Sequence, residues 1–363
     1  MKVLQICSAR TIGGGERHFA DLTNGLLARG HDVYAALRSD SDLHNELAGL
    51  SKCKIVSLRW QASFTILNAF KLARFIRKHR IEIIHAHIAH DYLLALVSMR
   101  LARRGRLVLT RHVLFPLNKV HKRLLRHSAQ FIAVSNAVAA SLRSEETSAC
   151  PAIVVIHNGI DLNRFARHDT TSSFSSHTFR VGMVGHLGTI KGPEDFIRAA
   201  AIVASRRKDV TFVIAGEDKS RTGHDRRRLE QLVADLGLGS HVNLPGWIDN
   251  VPSLLATLDL LISQSRSEPF GLSIIEGMAC GVPVIATASE GACEILEDGL
   301  SGKLVPIGDF EQLAEAIVGL LDNKQMRMNL AAQALKVVHT RFTLARMVDS
   351  TEQLYRDLLL RSM

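Results

Sequence analysis

The sequence predicts an α/β protein made of two doubly wound halves, each a parallel sheet flanked by helices. Three observations carry this. Short apolar, β-branched runs alternate with helical periods along nearly all of the 363 residues, the pattern of strands joined by crossover helices. The pattern begins twice with a strand that runs into a glycine turn, at VLQIC followed by GGG (3–15) and at RVGMVG (180–185). Between the two lies ARHDTTSSFSSHTF (166–179), polar, serine-rich and aperiodic, which reads as a linker.

The elements follow in order. Val3–Cys7 is a buried-strand run, Gly13–Gly15 a turn, and Phe19, Leu22, Leu26 and Leu27 mark one face of a helix closed by Gly30. HDVYAAL (31–37), IVSL (55–58), IEIIHAH (81–87), RLVLT (106–110), FIAVS (131–135) and IVVIHNG (153–159) read as further strands, with a helix near 64–80. The second half runs FRVGMVG (179–185), a helix from Pro193 to about Arg206, TFVIAGE (211–217), a helix near 224–236, HVNLPG (241–246), DLLIS (259–263), PVIAT (283–287) and KLVP (303–306). Helices fill 309–322 and 326–361, with a break near 340. Ligands of such sheets bind at the carboxyl ends of the strands, which for two facing sheets means a cleft between domains.

Composition excludes several classes. With 47% hydrophobic and 22% charged residues the chain is not disordered. Five scattered cysteines without a CxxC pair argue against a disulfide framework or a cysteine zinc site, and for a reducing compartment. MKVLQICSAR reaches Gly13 too soon for a signal peptide, and no run approaches the ~20 apolar residues of a spanning helix; a cytosolic location is expected. The net charge of +10 is uneven: residues 1–170 hold 25 Lys and Arg against 12 Asp and Glu, the remainder 20 against 23. A basic half suits anionic partners, and a solvated face without a partner explains it equally well.

Two stretches carry chemistry. In IGGGERH (12–18) three glycines let a backbone approach a ligand, and the following helix offers free N–H groups to a phosphate. His18 stands where the dinucleotide fingerprint needs glycine, so a nicotinamide dehydrogenase is disfavoured; a ligand-free turn fits the glycines equally well. In SEPFGLSIIEGMACGVPVIAT (267–287), Glu268 lies in a strand–helix loop and Glu276 inside the helix that starts near Leu272. A loop acid there can accept from sugar hydroxyls, the N–H groups around Phe270, Gly271 and Leu272 can hold an anion, and Glu276 can accept from a ribose. On spacing alone, a surface loop with an acid near a helix N-terminus is the simpler account.

The paired acids within SEPFGLSIIEGMACGVPVIA resemble the signature of retaining glycosyltransferases of the GT-B fold, carbohydrate-active family 4. Other matches follow in order: Gly13–Gly15, HAHIAHD (85–91), TRH (110–112), AVS (133–135), HNGID (157–161), VGHLGTIKG (184–192), AGE (215–217), LPGW (244–247) and EGACEILEDGLSGKLVP (290–306). The resemblance implies two facing Rossmann-like domains, an N-terminal acceptor domain (1–165), the linker 166–179 and a C-terminal donor domain (180–342). A C-terminal helix (343–363) is expected to pack back on the N-terminal domain. It implies that Glu268 binds donor-sugar hydroxyls with help from the N–H groups of Phe270 and Gly271, and that Glu276 binds the ribose. Lys191 would neutralise the diphosphate, Gly14 and Gly15 would approach phosphate or sugar, and His112 would contact the donor sugar. His112, Lys191 and Glu268 are thus the catalytic candidates, and Leu272 joins the donor-binding set.

One departure stands out. The family usually has arginine where this chain has His186, and neutral histidine brings less charge than a guanidinium fork. Either Lys191 and another cation, Arg111 or Arg17, make up the difference, or His186 is protonated beside the diphosphate. No cofactor or metal is expected, only the nucleotide-sugar as donor, a UDP-sugar favoured and GDP-mannose the alternative. The acceptor would be a glycan or lipid-linked, and nucleic acid is not expected. Asp40-Ser41-Asp42 reads as a turn rather than a metal-binding DxD, and His85 and His87 as hydrogen-bonded strand residues. SFTILNAFKLARFIRKHR (63–80) and PLNKVHKRLLRH (116–127) are basic and amphipathic; packed helices are the base case and an anionic membrane face the second reading. Two rivals remain, a GT-B sugar-nucleotide epimerase and a catalytically weak sugar-nucleotide-binding scaffold.

Overall fold

A computed structural model describes the chain apart from residues 48, 59–64, 116, 118–120, 122–123, 126–128, 144–151, 166–177, 221 and 361–363. Most of the expected linker, and Lys119, Lys122, Arg123 and Arg126 of the basic stretch, lie outside the described residues. The chain forms two compact units, Met1–Ile160 with Thr343–Met363, and Asp161–Phe342. The first therefore closes at Ile160, five residues before the expected boundary, and the short helix Leu162–Phe165 belongs to the second.

The first unit holds a seven-stranded parallel sheet in the order β3-β2-β1-β4-β5-β6-β7. Its strands are β1 (Lys2–Cys7), β2 (Asp32–Arg38), β3 (Ile55–Leu58), β4 (Ile83–Ala86), β5 (Arg106–Arg111), β6 (Ala129–Ala133) and β7 (Ala152–Val155). These runs are apolar almost throughout because helices cover both faces of the sheet. Val3, Val33, Ile83, Val108 and Ile132 pack under Leu22 and Leu26 of the helix Gly14–Ala28 and under Met347, Val348 and Tyr355 of the C-terminal helix Leu344–Leu360. Burying each such side chain contributes about 1.5–3 kcal/mol. The returning chain is tied on by Leu344, whose N–H donates to the Ile160 carbonyl at 2.8 Å. Arg29 and Glu352 then pair the first and last helices at 3.0 Å.

The second unit holds a six-stranded parallel sheet in the order β10-β9-β8-β11-β12-β13. These are β8 (Phe179–Val184), β9 (Val210–Ala215), β10 (Val242–Gly246), β11 (Leu260–Ser263), β12 (Val284–Thr287) and β13 (Lys303–Val305). Helices Pro193–Arg206 and Phe310–Asp322 bury Phe196, Ile197, Val203, Leu313 and Ile317 against it. Proline at the first helical position and the Asp309 carboxylate accepting from Gln312 N–H at 2.8 Å start these helices. In both sheets the strand order reverses beside the first strand, between β1 and β4 and between β8 and β11. There the connections leave in opposite directions and open a crevice at the carboxyl ends.

Candidate active site

In the second unit the crevice gathers residues from loops far apart in sequence. β8 ends at Val184, and Gly185–Lys191 turns back over its end. β11 ends at Ser263, and Gln264–Gly271 leads into the helix Leu272–Ala279. Because β8 and β11 are hydrogen-bonded neighbours, the two loops meet. Lys191 Nζ lies 2.5 Å from Glu268 Oε2, and Ser265 Oγ donates to the same oxygen at 3.1 Å. Glu268 is buried and Lys191 half-buried. The Glu268 carbonyl accepts from Gly291 N–H at 2.9 Å, and its own N–H reaches the Glu290 carboxylate at a long 3.4 Å.

The loop geometry depends on Gly192. Its φ is +67°, and a Cβ there would sit 2.3 Å from the Gln264 carbonyl oxygen, so any side chain would push the two loops apart. Gln264 Nε2 donates to the Gly192 carbonyl at 3.1 Å, and Ile190 accepts from Arg266 N–H at 2.8 Å. Phe270 is buried edge-on against Phe342, with ring centroids 5.6 Å apart, and so anchors the helix start. Gly271 is the N-cap, with φ +111°. The Gly271 carbonyl accepts from Ile274 N–H at 3.1 Å, and the N–H groups of Leu272 and Ser273 before it precede the helical bonding, so they present donors and the positive dipole end. Glu276 sits one turn on, partly exposed.

His186 lies in the β8 loop, and its Nδ1 accepts from Gly188 N–H at 3.2 Å. That leaves the proton on Nε2, a neutral donor. Burial first, then the positive charges of Lys191 and Lys219, hold its pKa below the usual histidine value. A protonated His186 is thus disfavoured, and the two lysines that keep it neutral are themselves the nearby cations. Arg17 and Arg111, the other cations considered, have partners within the first unit. Arg17 pairs with Glu46 at 2.5 Å, and the buried Arg111 donates to the Phe115 carbonyl. Lys219 follows AGED, whose Asp218 accepts from Ser220 N–H at 2.7 Å and from Arg226 N–H at 2.8 Å. Spacing alone did not mark Lys219, Ser265 or Glu290; the nearest signal was their position at strand ends.

In the first unit Gly14 and Gly15 open the helix Gly14–Ala28 at the end of β1, and the Glu16 carboxylate accepts from Gly13 N–H at 3.0 Å. A Cβ on Gly15 would touch the His112 ring at 3.3 Å; glycine here lets the helix start close on the histidine that follows β5. His85 donates and accepts within a closed network, Nδ1 to Tyr355 Oη at 2.6 Å and Nε2 to Thr110 Oγ1 at 2.7 Å. It is a hydrogen-bonded strand histidine. Asp40 sits in an exposed turn paired with Arg38.

Comparison with known proteins fits both halves. Residues 12–164 match the model of glycosyltransferase family 4, and residues 168–337 that of glycosyl transferases group 1. The chain is a family 4 glycosyltransferase. This glycosyltransferase is 26% identical over 360 residues to N-acetyl-alpha-D-glucosaminyl L-malate synthase of Bacillus anthracis, covering 95% of the chain and 90% of the relative. It is 26% identical over 343 residues to the lipopolysaccharide core biosynthesis glycosyltransferase LpsE of Rhizobium meliloti, covering 94% and 95%. The crystal structure of Anabaena HepE in complex with UDP and glucose superposes with a TM-score of 0.85 at 24% identity, covering 98% of this chain and 99% of that one. The glycosyltransferase thus has the GT-B fold, with two Rossmann-like domains.

Proposed function

We propose that this glycosyltransferase moves a sugar, with retention of configuration and without a metal ion, from a nucleoside-diphosphate sugar to a glycan or lipid-linked acceptor of the cell envelope. The observation that carries this is the Lys191–Glu268 pair held at 2.5 Å beside the N-terminus of the helix Leu272–Ala279. It pairs a cation for a diphosphate with an acid for sugar hydroxyls. On donor binding the diphosphate takes up Lys191, and Glu268 turns its oxygens to the sugar. As the glycosidic bond breaks, negative charge grows on the leaving diphosphate. Lys191, the Nε2–H of His186, Lys219 and the N–H groups from Gly271 onward stabilise it without having to reorganise. Glu276 accepts from the ribose, Gly14 and Gly15 bring backbone N–H groups to phosphate or sugar, and His112 meets the donor sugar.

UDP is favoured as the nucleotide because the HepE structure holds UDP and glucose, and an envelope acceptor because LpsE is named for lipopolysaccharide core synthesis. Among the described residues no helix is long and apolar enough to cross a membrane. Reversible docking of the basic half on an anionic cytoplasmic leaflet would bring a lipid-linked acceptor within reach. Ile66, Leu67 and Phe70 are exposed on the basic helix Thr65–His79, as are Phe115 just before the 116–127 stretch and Leu124 within it, which supports that reading. The deciding experiment incubates the protein with UDP-, GDP- and ADP-sugars without acceptor. Slow release of one nucleoside diphosphate, lost in Glu268→Ala, is expected. Thermal stabilisation by one of them without hydrolysis would favour the scaffold reading, and neither hydrolysis nor stabilisation by any of them would remove the donor site altogether.

A further inference from the structure

Three histidines of the first unit converge in a way that sugar transfer does not require. His18 comes from the helix Gly14–Ala28, His87 follows β4 and His112 follows β5. One ring nitrogen of each lies within 4.8 Å of the others. His18 and His87 are buried and His112 half-buried. We propose that His18, His87 and His112 form a binding site for a soft divalent cation of the zinc class, oriented from behind by Gln5 and Tyr355.

Unpartnered nitrogens point to a ligand. Among the described residues, both ring nitrogens of His18, Nδ1 of His87 and Nε2 of His112 are shielded from solvent and have no partner at full hydrogen-bond geometry, the Asn158 side chain making only a weaker polar contact with His18. Native interiors seldom leave such groups unsatisfied, and here they cluster from three separate elements. A tetrahedral zinc ion with bonds of 2.0–2.1 Å sets ligand nitrogens about 3.3 Å apart, so modest ring rotations bring these three into place.

The hydrogen bonds behind the site assign which nitrogen of His87 is available. Gln5 Oε1 can only accept, so the 2.6 Å contact with His87 Nε2 places the proton on Nε2. The lone pair is then on Nδ1, the unpartnered atom. Gln5 Nε2 donates onward to Tyr355 Oη at 3.4 Å, Tyr355 Oη donates to His85 Nδ1 at 2.6 Å, and His85 Nε2–H donates to Thr110 Oγ1 at 2.7 Å. Such outer partners fix ring orientation in metal sites. Burial, foremost, holds all three imidazoles neutral, pushing His18 down to about 4 and His87 and His112 well below the usual value. Neutral imidazoles without a carboxylate among them suit zinc, copper or nickel and not magnesium or manganese.

A cation here would take the ring nitrogen of His112 and so oppose the donor contact; this consequence alone rests on the role of His112 in transfer. The test titrates metal-stripped, full-length protein with cobalt. One equivalent should give the visible bands of tetrahedral cobalt, abolished by zinc. His18→Leu and His87→Leu should each weaken binding at least a hundredfold, and Gln5→Leu tenfold to a hundredfold. Zinc should raise the thermal midpoint of the wild type but not of His18→Leu, whose metal-free midpoint stays at or above wild type because two unpartnered nitrogens are gone. Absence of a tetrahedral cobalt spectrum, or an equal zinc shift in His18→Leu, overturns the proposal, the latter placing the cation on surface histidines. Cobalt binding that the variants abolish, with transfer untouched by zinc, supports the site and counts against His112 at the sugar.

Discussion

Breaking the Lys191–Glu268 pair from either side should have unequal costs. The Glu268 side chain is 8% exposed and that of Lys191 23%, with 2.5 Å between them. Lys191→Met strands a buried carboxylate that, among the described residues, keeps the Ser265 hydroxyl at 3.1 Å. Removing one partner of a fully buried pair costs about 3–5 kcal/mol; the serine and residual exposure reduce this to about 2–3 kcal/mol. Glu268→Gln strands an ammonium that can still reach water, so the cost falls to about 1 kcal/mol, near the exposed-pair limit. The double variant should be less destabilised than Lys191→Met, since the stranded charge is gone, with a coupling of about 1–2 kcal/mol. For a unit the size of Asp161–Phe342, each kcal/mol moves the midpoint by about 2–4 °C. Scanning calorimetry of the full chain, with the transition of this unit resolved from the other, would read Lys191→Met some 4–12 °C low and Glu268→Gln about 2–4 °C low. Equal shifts for the two single variants, or strict additivity in the double, would refute the view that Glu268 is the buried member whose charge the lysine offsets.

Other perturbations test neighbouring parts. Glu276→Ala should lower the affinity for UDP itself at least tenfold, about 1.4 kcal/mol, in titration calorimetry; unchanged affinity would remove the ribose contact. Because His186 is held neutral by burial and two lysines, UDP affinity should be flat above pH 7 and rise only below about 6.5, where phosphate can recruit a proton; a transition centred above pH 7 would contradict this. His186→Arg should tighten UDP about tenfold through a charge-assisted hydrogen bond of about 1.5 kcal/mol. Glu352 opposes its own burial through Arg29 and Arg356, which bring its pKa down to about 2. A lowered carboxylate pKa stabilises above the unfolded value, so the docking of the C-terminal helix should weaken as pH falls from about 4.5 toward 2, and Glu352→Gln should remove that dependence in hydrogen exchange. Transfer should survive chelation with EDTA; loss restored by manganese or magnesium would instead give Asp40 and Asp42 a catalytic part.

Much of this architecture is local and therefore legible in the sequence. Apolar runs such as VLQIC and DLLIS mark strands covered on both faces, the serine-rich 166–179 marks a break in the pattern, and Glu276 falls inside a helix because the period resumes at Leu272. The family motifs point to Lys191, Glu268 and His112 one by one, yet nothing local says which of them touch. Lys191 and Glu268 are 77 residues apart, and they meet because β11 inserts beside β8 while β9 and β10 lie on its other side. Lys219 comes close enough to His186 to hold its pKa down for the same reason: neighbouring strand ends share a rim. His18, His87 and His112 converge only once β1, β4 and β5 adjoin, and Tyr355 reaches His85 across 270 residues because the last helix returns to the first sheet. Periodicity reports which face of an element is buried; strand order decides whose ends stand side by side, and chemistry at this fold happens at those ends.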